Sequence, residues 1–117
     1  MDGNLNRELV IIGGGPAGLM AAESALANGA SNVSVYERMG SVARKFLIAG
    51  KGGLNLTHSE PMPQFIQRYL PQTRSIGHWL REFGPDAVRA WAAGLGVETF
   101  VGSSGRVFPH DLKAAPL

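Results

Sequence analysis

Gly13, Gly15 and Gly18 stand at G-x-G-x-x-G spacing between an apolar run, Leu9 to Ile12, and a helical pattern that opens with Pro16 and Ala17. Such an arrangement suits a phosphate. The first glycine turns the chain off a strand, the second leaves room for a pyrophosphate to reach the backbone, and the third lets the helix lie close to the sheet. The head of the helix offers unpaired N–H groups and the positive end of its dipole, and Pro16 fits a first-turn position where its missing N–H costs nothing. Gly14 completes the cluster. Glu37 follows Gly18 by 19 residues, at the end of a second apolar run, Val33 to Tyr36. A carboxylate there accepts hydrogen bonds from the ribose hydroxyls of a dinucleotide and repels a 2′-phosphate. Arg38, beside it, is expected to contact adenine, with a solvated surface arginine as the alternative.

The bare glycine pattern is weak support, because a chain with 16 glycines in 117 residues is expected to produce about 0.3 such matches by composition. Requiring Ala22 one turn beyond Gly18, Gly29 two turns further and an acid at 37 lowers that expectation to roughly 0.0004. Positions 18, 22, 25–26 and 29 form a small-residue stripe of the kind a helix pressed on a sheet requires.

A second cluster, Gly50-Lys51-Gly52-Gly53, lies downstream. It lacks the G-K-[ST] ending of a nucleoside triphosphate loop. Its expected use is close backbone approach to a flat or phosphorylated ligand, with Arg44, Lys45 and Lys51 supplying charge and Asn55 and Thr57 supplying hydrogen bonds.

The elements that must position these residues follow from periodicity. A strand at Leu9–Ile12 does not alternate and is expected to be buried on both faces. A helix from Pro16 to Asn28 stops at Gly29, and a second strand covers Val33 to Glu37. Ser41 is expected to cap a short helix running to Phe46 or Leu47. Residues 61–95 read as helical. Phe65, Ile66, Tyr69 and Leu70 precede Pro71, Ile76, Trp79, Leu80 and Phe83 form a core-facing stripe, and Val88, Trp91, Ala92 and Leu95 form another beyond Gly84-Pro85. A hairpin is expected over 97–108, and Asp111 is placed to cap a further helix. The fold class is α/β: a Rossmann-like FAD/NAD(P)-binding βαβ unit at 9–37, a glycine-rich loop at 50–57 and an added helical segment. A doubly wound sheet needs more strands than these, so residues 1–117 are expected to be an N-terminal piece of such a domain within a longer protein, with a compact natural protein of this length as the alternative.

Composition removes several classes. Hydrophobic residues make up 44% and charged residues 17%, with a net charge of +2 and no long basic block. This is a globular composition with no nucleic-acid footprint. The chain has no cysteine, which excludes disulfides, Cys-based zinc sites and a redox-active cysteine pair. His58, His78 and His110 lack ligand spacing, so no metal is expected. The polar N-terminus and the short apolar run behind it argue against a signal peptide or a membrane span and point to the cytoplasm.

The segments LVIIGGGPAGLMAAE, YER, ARKFLIAGKGGLNLTHSEP, SGRVFP and LKAAP together resemble the start of the BaiN/RdsA-like flavoproteins, over about residues 9 to 117. These are FAD-dependent NAD(P)H oxidoreductases with a glutathione-reductase-like FAD domain. The resemblance implies that Gly13, Gly15, Ala17, Gly18, Glu37, Arg38, Lys45 and Asn55 line an FAD site. Many members carry G-G-G-R-C-N in the second loop. The corresponding stretch here is Gly50-Lys51-Gly52-Gly53-Leu54-Asn55, with Leu54 at the cysteine position, so no member's substrate transfers to this chain. The expected function is hydride transfer between NAD(P)H and a small-molecule acceptor through FAD. The alternatives are an NAD-binding dehydrogenase, since Glu37 serves either nucleotide, and a non-catalytic nucleotide-binding module. No Ser/His/Asp or paired-carboxylate constellation assigns a catalytic residue.

Overall fold

A computed structural model describes residues 8–117, which form two compact units divided between Ile48 and Ala49.

The first unit begins with β1 (Leu9–Ile12), crosses through α1 (Pro16–Ala27) and returns as β2 (Val33–Tyr36), parallel to β1 with Leu9 opposite Val33 and Ile12 opposite Tyr36. The ladder continues past the strand ends, from Leu9 N–H to the Asn32 carbonyl at 2.9 Å and from Gly13 N–H to the Tyr36 carbonyl at 2.8 Å. α1 ends where the sequence places its stop. Gly29, at φ +96°, donates to the Leu26 carbonyl at 3.1 Å, and Ala30 donates to the Ala25 carbonyl at 3.0 Å. This is the paired closure that satisfies the last carbonyls of a helix. The small stripe faces the strands as expected at Gly18, Ala22 and Ala25, which are half-buried, whereas Leu26 is exposed.

The expectation that β1 is buried on both faces fails. Leu9, Val10 and Ile12 are 41%, 46% and 82% exposed. An apolar parallel strand is sealed only between neighbouring strands and under helices on both faces. Within this unit β1 has one strand neighbour and lies against one helix. The helix expected from Ser41 also shifts: α2 runs Arg44–Ala49. Ala43, at φ +59°, donates its N–H to the Gly14 carbonyl at 2.7 Å. A left-handed alanine interrupts any helix begun at Ser41, and the Ser41 hydroxyl instead accepts a 3.4 Å hydrogen bond from Arg44 Nη1.

In the second unit a single 3₁₀ turn, Gly50–Gly52, leads to β3 (Thr57–His58). Three helices follow, α3 (Met62–Gln67), α4 (Thr73–Glu82) and α5 (Pro85–Gly94), and then β4 (Thr99–Val101) and β5 (Arg106–Pro109). The expected hairpin is present, with Phe100 opposite Phe108. β3 pairs with the other edge of β5, giving the antiparallel order β3-β5-β4. The central strand supplies part of the core: Val107 and Pro109 are fully buried, and Leu54, Ala92, Val97 and Ala114 of the same unit are buried as well. The Arg89 guanidinium fastens α5 to β4, its Nε donating to Thr99 Oγ1 at 2.9 Å and its Nη2 to the Thr99 carbonyl at 3.3 Å.

The α4 stripe departs from its expected role. Trp79 is 63% exposed and Phe83 43%, while Gly77 is buried. A Cβ on Gly77 would lie 3.3 Å from Ile66 Cγ2. α4 therefore meets α3 through its smallest residue; Ile76 and Leu80 are half-buried, while Trp79 is turned outward. Asp111 caps no helix. Its Oδ1 accepts the Lys113 N–H at 3.0 Å in a local turn, and no helix is present over 111–117.

Candidate functional site

The first unit gathers Gly14, Gly15, Glu37, Met39, Ser41, Arg44, Lys45 and Ile48 around a cleft of about 500 Å³. The glycine turn after β1 and the segment after β2 meet there because β1 and β2 are parallel and in register, so the residues that leave their C-terminal ends emerge side by side. This is the place where open α/β sheets bind ligands.

Glu37 is the hub of the cleft. Its Oε2 accepts the Gly14 N–H at 2.8 Å, and its Oε1 accepts the Met39 N–H at 3.0 Å. The Met39 bond, then the Gly14 bond, hold its carboxyl below the usual carboxylate range, with a smaller contribution from neighbouring Arg38. Both oxygens are thereby fixed in direction and the charge is secured. Each oxygen keeps a further lone pair, which suits a vicinal diol such as a ribose edge.

The glycines divide into two kinds. A Cβ on Gly18 would collide with the Gly13 carbonyl, and one on Gly14 would come within 2.6 Å of Val42 Cγ1. These glycines are required by the protein's own packing. Gly15 differs: a Cβ there meets no protein atom within 4 Å, and its φ of −82° is open to any residue. Nothing in the fold of this unit asks for glycine at 15. Pro16 occupies the first turn of α1, so the unpaired N–H groups at the helix head belong to Ala17 and Gly18.

Of the residues expected at the site, Gly13 to Gly18, Glu37, Arg44 and Lys45 meet in this unit. Arg38 is exposed beside Glu37 and does not line the cleft. Gly52, Gly53, Asn55 and Thr57 belong to the second unit. There Gly53 turns the chain at φ +113°, Leu54 is buried with its N–H on the Leu112 carbonyl at 3.0 Å, and Gly50 packs directly on Ala114. The second glycine loop is thus an ordered turn. Asn55 and Thr57 line a separate cavity in that unit with Phe65, Tyr69 and Phe83. Sequence reasoning missed Met39 and Ile48 as cleft walls and Ala43 as the partner of Gly14. The available signal was the pair of apolar residues, Met39 and Val42, set in an otherwise polar stretch.

A parallel β-α-β unit with a glycine turn at its head and an acid at the tip of its second strand defines the fold, and residues 7–117 match the HI0933-like protein Rossmann domain. The chain belongs to that family. No curated protein matches it. As a member of the HI0933-like Rossmann family it is an α/β protein whose glycine turn, helix head and carboxylate stand together at the carboxyl ends of two parallel strands. Among the described residues no helix is long and apolar enough to cross a membrane, and no cluster of three or more His, Asp or Glu could hold a metal ion.

Proposed function

We propose that this chain is the N-terminal part of the FAD-binding domain of a BaiN/RdsA-like flavoprotein, a cytoplasmic oxidoreductase that passes hydride between NAD(P)H and a small-molecule acceptor. The observation that carries the reading is the contrast between Gly15 and Gly18. Gly18 is demanded by the Gly13 carbonyl, while Gly15 opens on free space at the head of α1. A pyrophosphate that must reach the backbone N–H groups accounts for glycine at 15, where packing does not.

In this reading Gly13 to Gly18 receive the pyrophosphate. Glu37 takes the adenosine ribose, and its lowered pKa keeps it anionic at physiological pH. Arg44 and Lys45 offset the phosphate charge, and Gly52 and Gly53 approach the cofactor through their backbone. FAD, when bound, supplies the hydride-accepting ring. The residues described here bind and orient its adenosine diphosphate end. Neither nucleic acid nor a membrane is a partner in this scheme.

The test is the visible spectrum of the purified chain after incubation with FAD and gel filtration. A retained yellow colour that releases FAD on denaturation supports the assignment. A colourless protein that binds NAD by calorimetry replaces it with the dehydrogenase reading, and flavin held without NAD(P)H turnover restricts it to a cofactor-binding module.

A further inference from the structure

The second unit holds a cavity of about 340 Å³ that the glycine cleft does not use. Phe65 of α3 and Tyr69 just beyond it, Leu80 of α4 and Phe83 at its C-terminal end, and Val88 of α5 form its apolar walls, and the segment from Asn55 to His58 forms its polar edge. Two features limit what fits. First, no Asp, Glu, Lys or Arg lines it, so a charged ligand would lose its hydration without compensation. His58 is engaged elsewhere: its Nδ1 accepts the Glu60 N–H at 3.0 Å, and its Nε2 lies 3.1 Å from the Ser104 carbonyl. Both ring nitrogens are therefore spent on the protein.

Second, the Asn55 carboxamide, the Thr57 hydroxyl and the Tyr69 hydroxyl make no hydrogen bond among the described residues. All three can donate. They stand beside the tilted ring pair Phe65–Tyr69, whose centroids are 5.9 Å apart. Aromatic walls around unspent donors suit a flat ring carrying a carbonyl oxygen at its edge.

We propose that this cavity binds a small, uncharged, planar ring with a carbonyl edge, of the quinone class, as a ligand distinct from any dinucleotide on the glycine cleft. The volume holds one ring or two fused rings. Asn55 and Thr57 then serve this ligand, with Tyr69 as a third donor. The inference concerns binding alone and stands whether or not the chain holds flavin.

The experiment titrates the full chain with 1,4-naphthoquinone and follows backbone amide signals by NMR. The absence of cysteine removes thiol addition as a complication. The expected result is saturable shifts at Asn55 to His58 and at Val88. Naphthalene, which lacks the carbonyls, is expected to bind about five- to tenfold more weakly, as is the quinone to Asn55→Ala, each by the loss of about one hydrogen bond. Asn55 is exposed, so this variant keeps the fold; Thr57→Val supplies an independent second variant. Shifts scattered outside the cavity, equal affinity for naphthalene and the quinone, or displacement of the quinone from these amides by added FAD would each overturn the proposal.

Discussion

Gly15→Ala separates a ligand role from a folding role more cleanly than any other single change. In the protein alone the new methyl meets nothing within 4 Å, and the backbone at φ −82° and ψ −176° accepts alanine. Alanine is a poorer N-cap than glycine by about 1 kcal/mol. The loss of unfolded-state freedom returns about 0.4–1 kcal/mol. The two nearly cancel, leaving a net change within about 0.5 kcal/mol and a melting temperature within roughly 4 °C of the parent. With a pyrophosphate seated on the helix head the result differs. The methyl occupies the space through which phosphate oxygens approach the backbone, and one or two charge-assisted hydrogen bonds are lost at about 1.5–3 kcal/mol each. FAD affinity is then expected to fall by at least about tenfold. Flavin fluorescence quenching gives the affinity, and circular dichroism melting gives the stability of the same sample. A variant that melts with the parent and binds FAD equally well refutes the assignment of the loop to the pyrophosphate.

Gly18→Ala should behave in the opposite way. Its Cβ collides with the Gly13 carbonyl, so thermal melting should show a loss of about 1–3 kcal/mol even without ligand. Gly50→Ala makes the same kind of test in the second unit, where the added methyl strikes Ala114; a destabilisation of similar size, about 1–3 kcal/mol, is expected in urea unfolding. Glu37→Gln replaces a fixed carboxylate that accepts two backbone N–H groups. ADP affinity, measured by calorimetry, should fall about tenfold, while the preference for ADP over its 2′-phosphorylated analogue narrows. The pH dependence has a definite sign. Because hydrogen bonds from Met39 and Gly14 depress the Glu37 pKa below 4.5, its contribution to folding is full above that value. It is lost only as pH falls through the lower folded value. The Glu37-dependent part of ADP affinity, taken as the ratio of the parent's affinity to that of Glu37→Gln at each pH so that the titration of the ADP phosphate cancels, should therefore stay flat from pH 8 to about 4.5 and decline only below it; a ratio that falls near neutrality would assign the titration to another group.

Local chemistry was legible where a short stretch of chain settles its own structure. The turn from Ile12 into α1, the stop at Gly29 and the hairpin around Gly102 to Gly105 each depend on a few neighbouring residues, and each stands as read. The same holds for Glu37, whose distance from Gly18 is fixed by the length of one helix and one strand. What failed depended on neighbours distant in sequence. The apolar run of β1 fixes a strand, but its burial is set by how many strands and helices lie beside it. The α4 pattern gives the correct helix and half of its buried stripe: Ile76 and Leu80 are half-buried, while Trp79 and Phe83 are exposed because Gly77, the smallest residue, takes the contact with Ile66. Ser41 is a sound cap by type, yet the hydrogen bond between Ala43 and Gly14 moves the helix start past it.

The sequence alone determined that a glycine turn precedes a helix and that an acid closes the second strand, since the spacing of those residues dictates the local backbone. Tertiary structure decided the rest. It showed that Glu37 is held by the Gly14 and Met39 N–H groups before any ligand arrives, that glycine at 18 answers to packing while glycine at 15 does not, and that Asn55 and Thr57 face an aromatic cavity. Those facts depend on which distant backbone atoms come within a few ångströms of one another, and residue spacing carries no record of that.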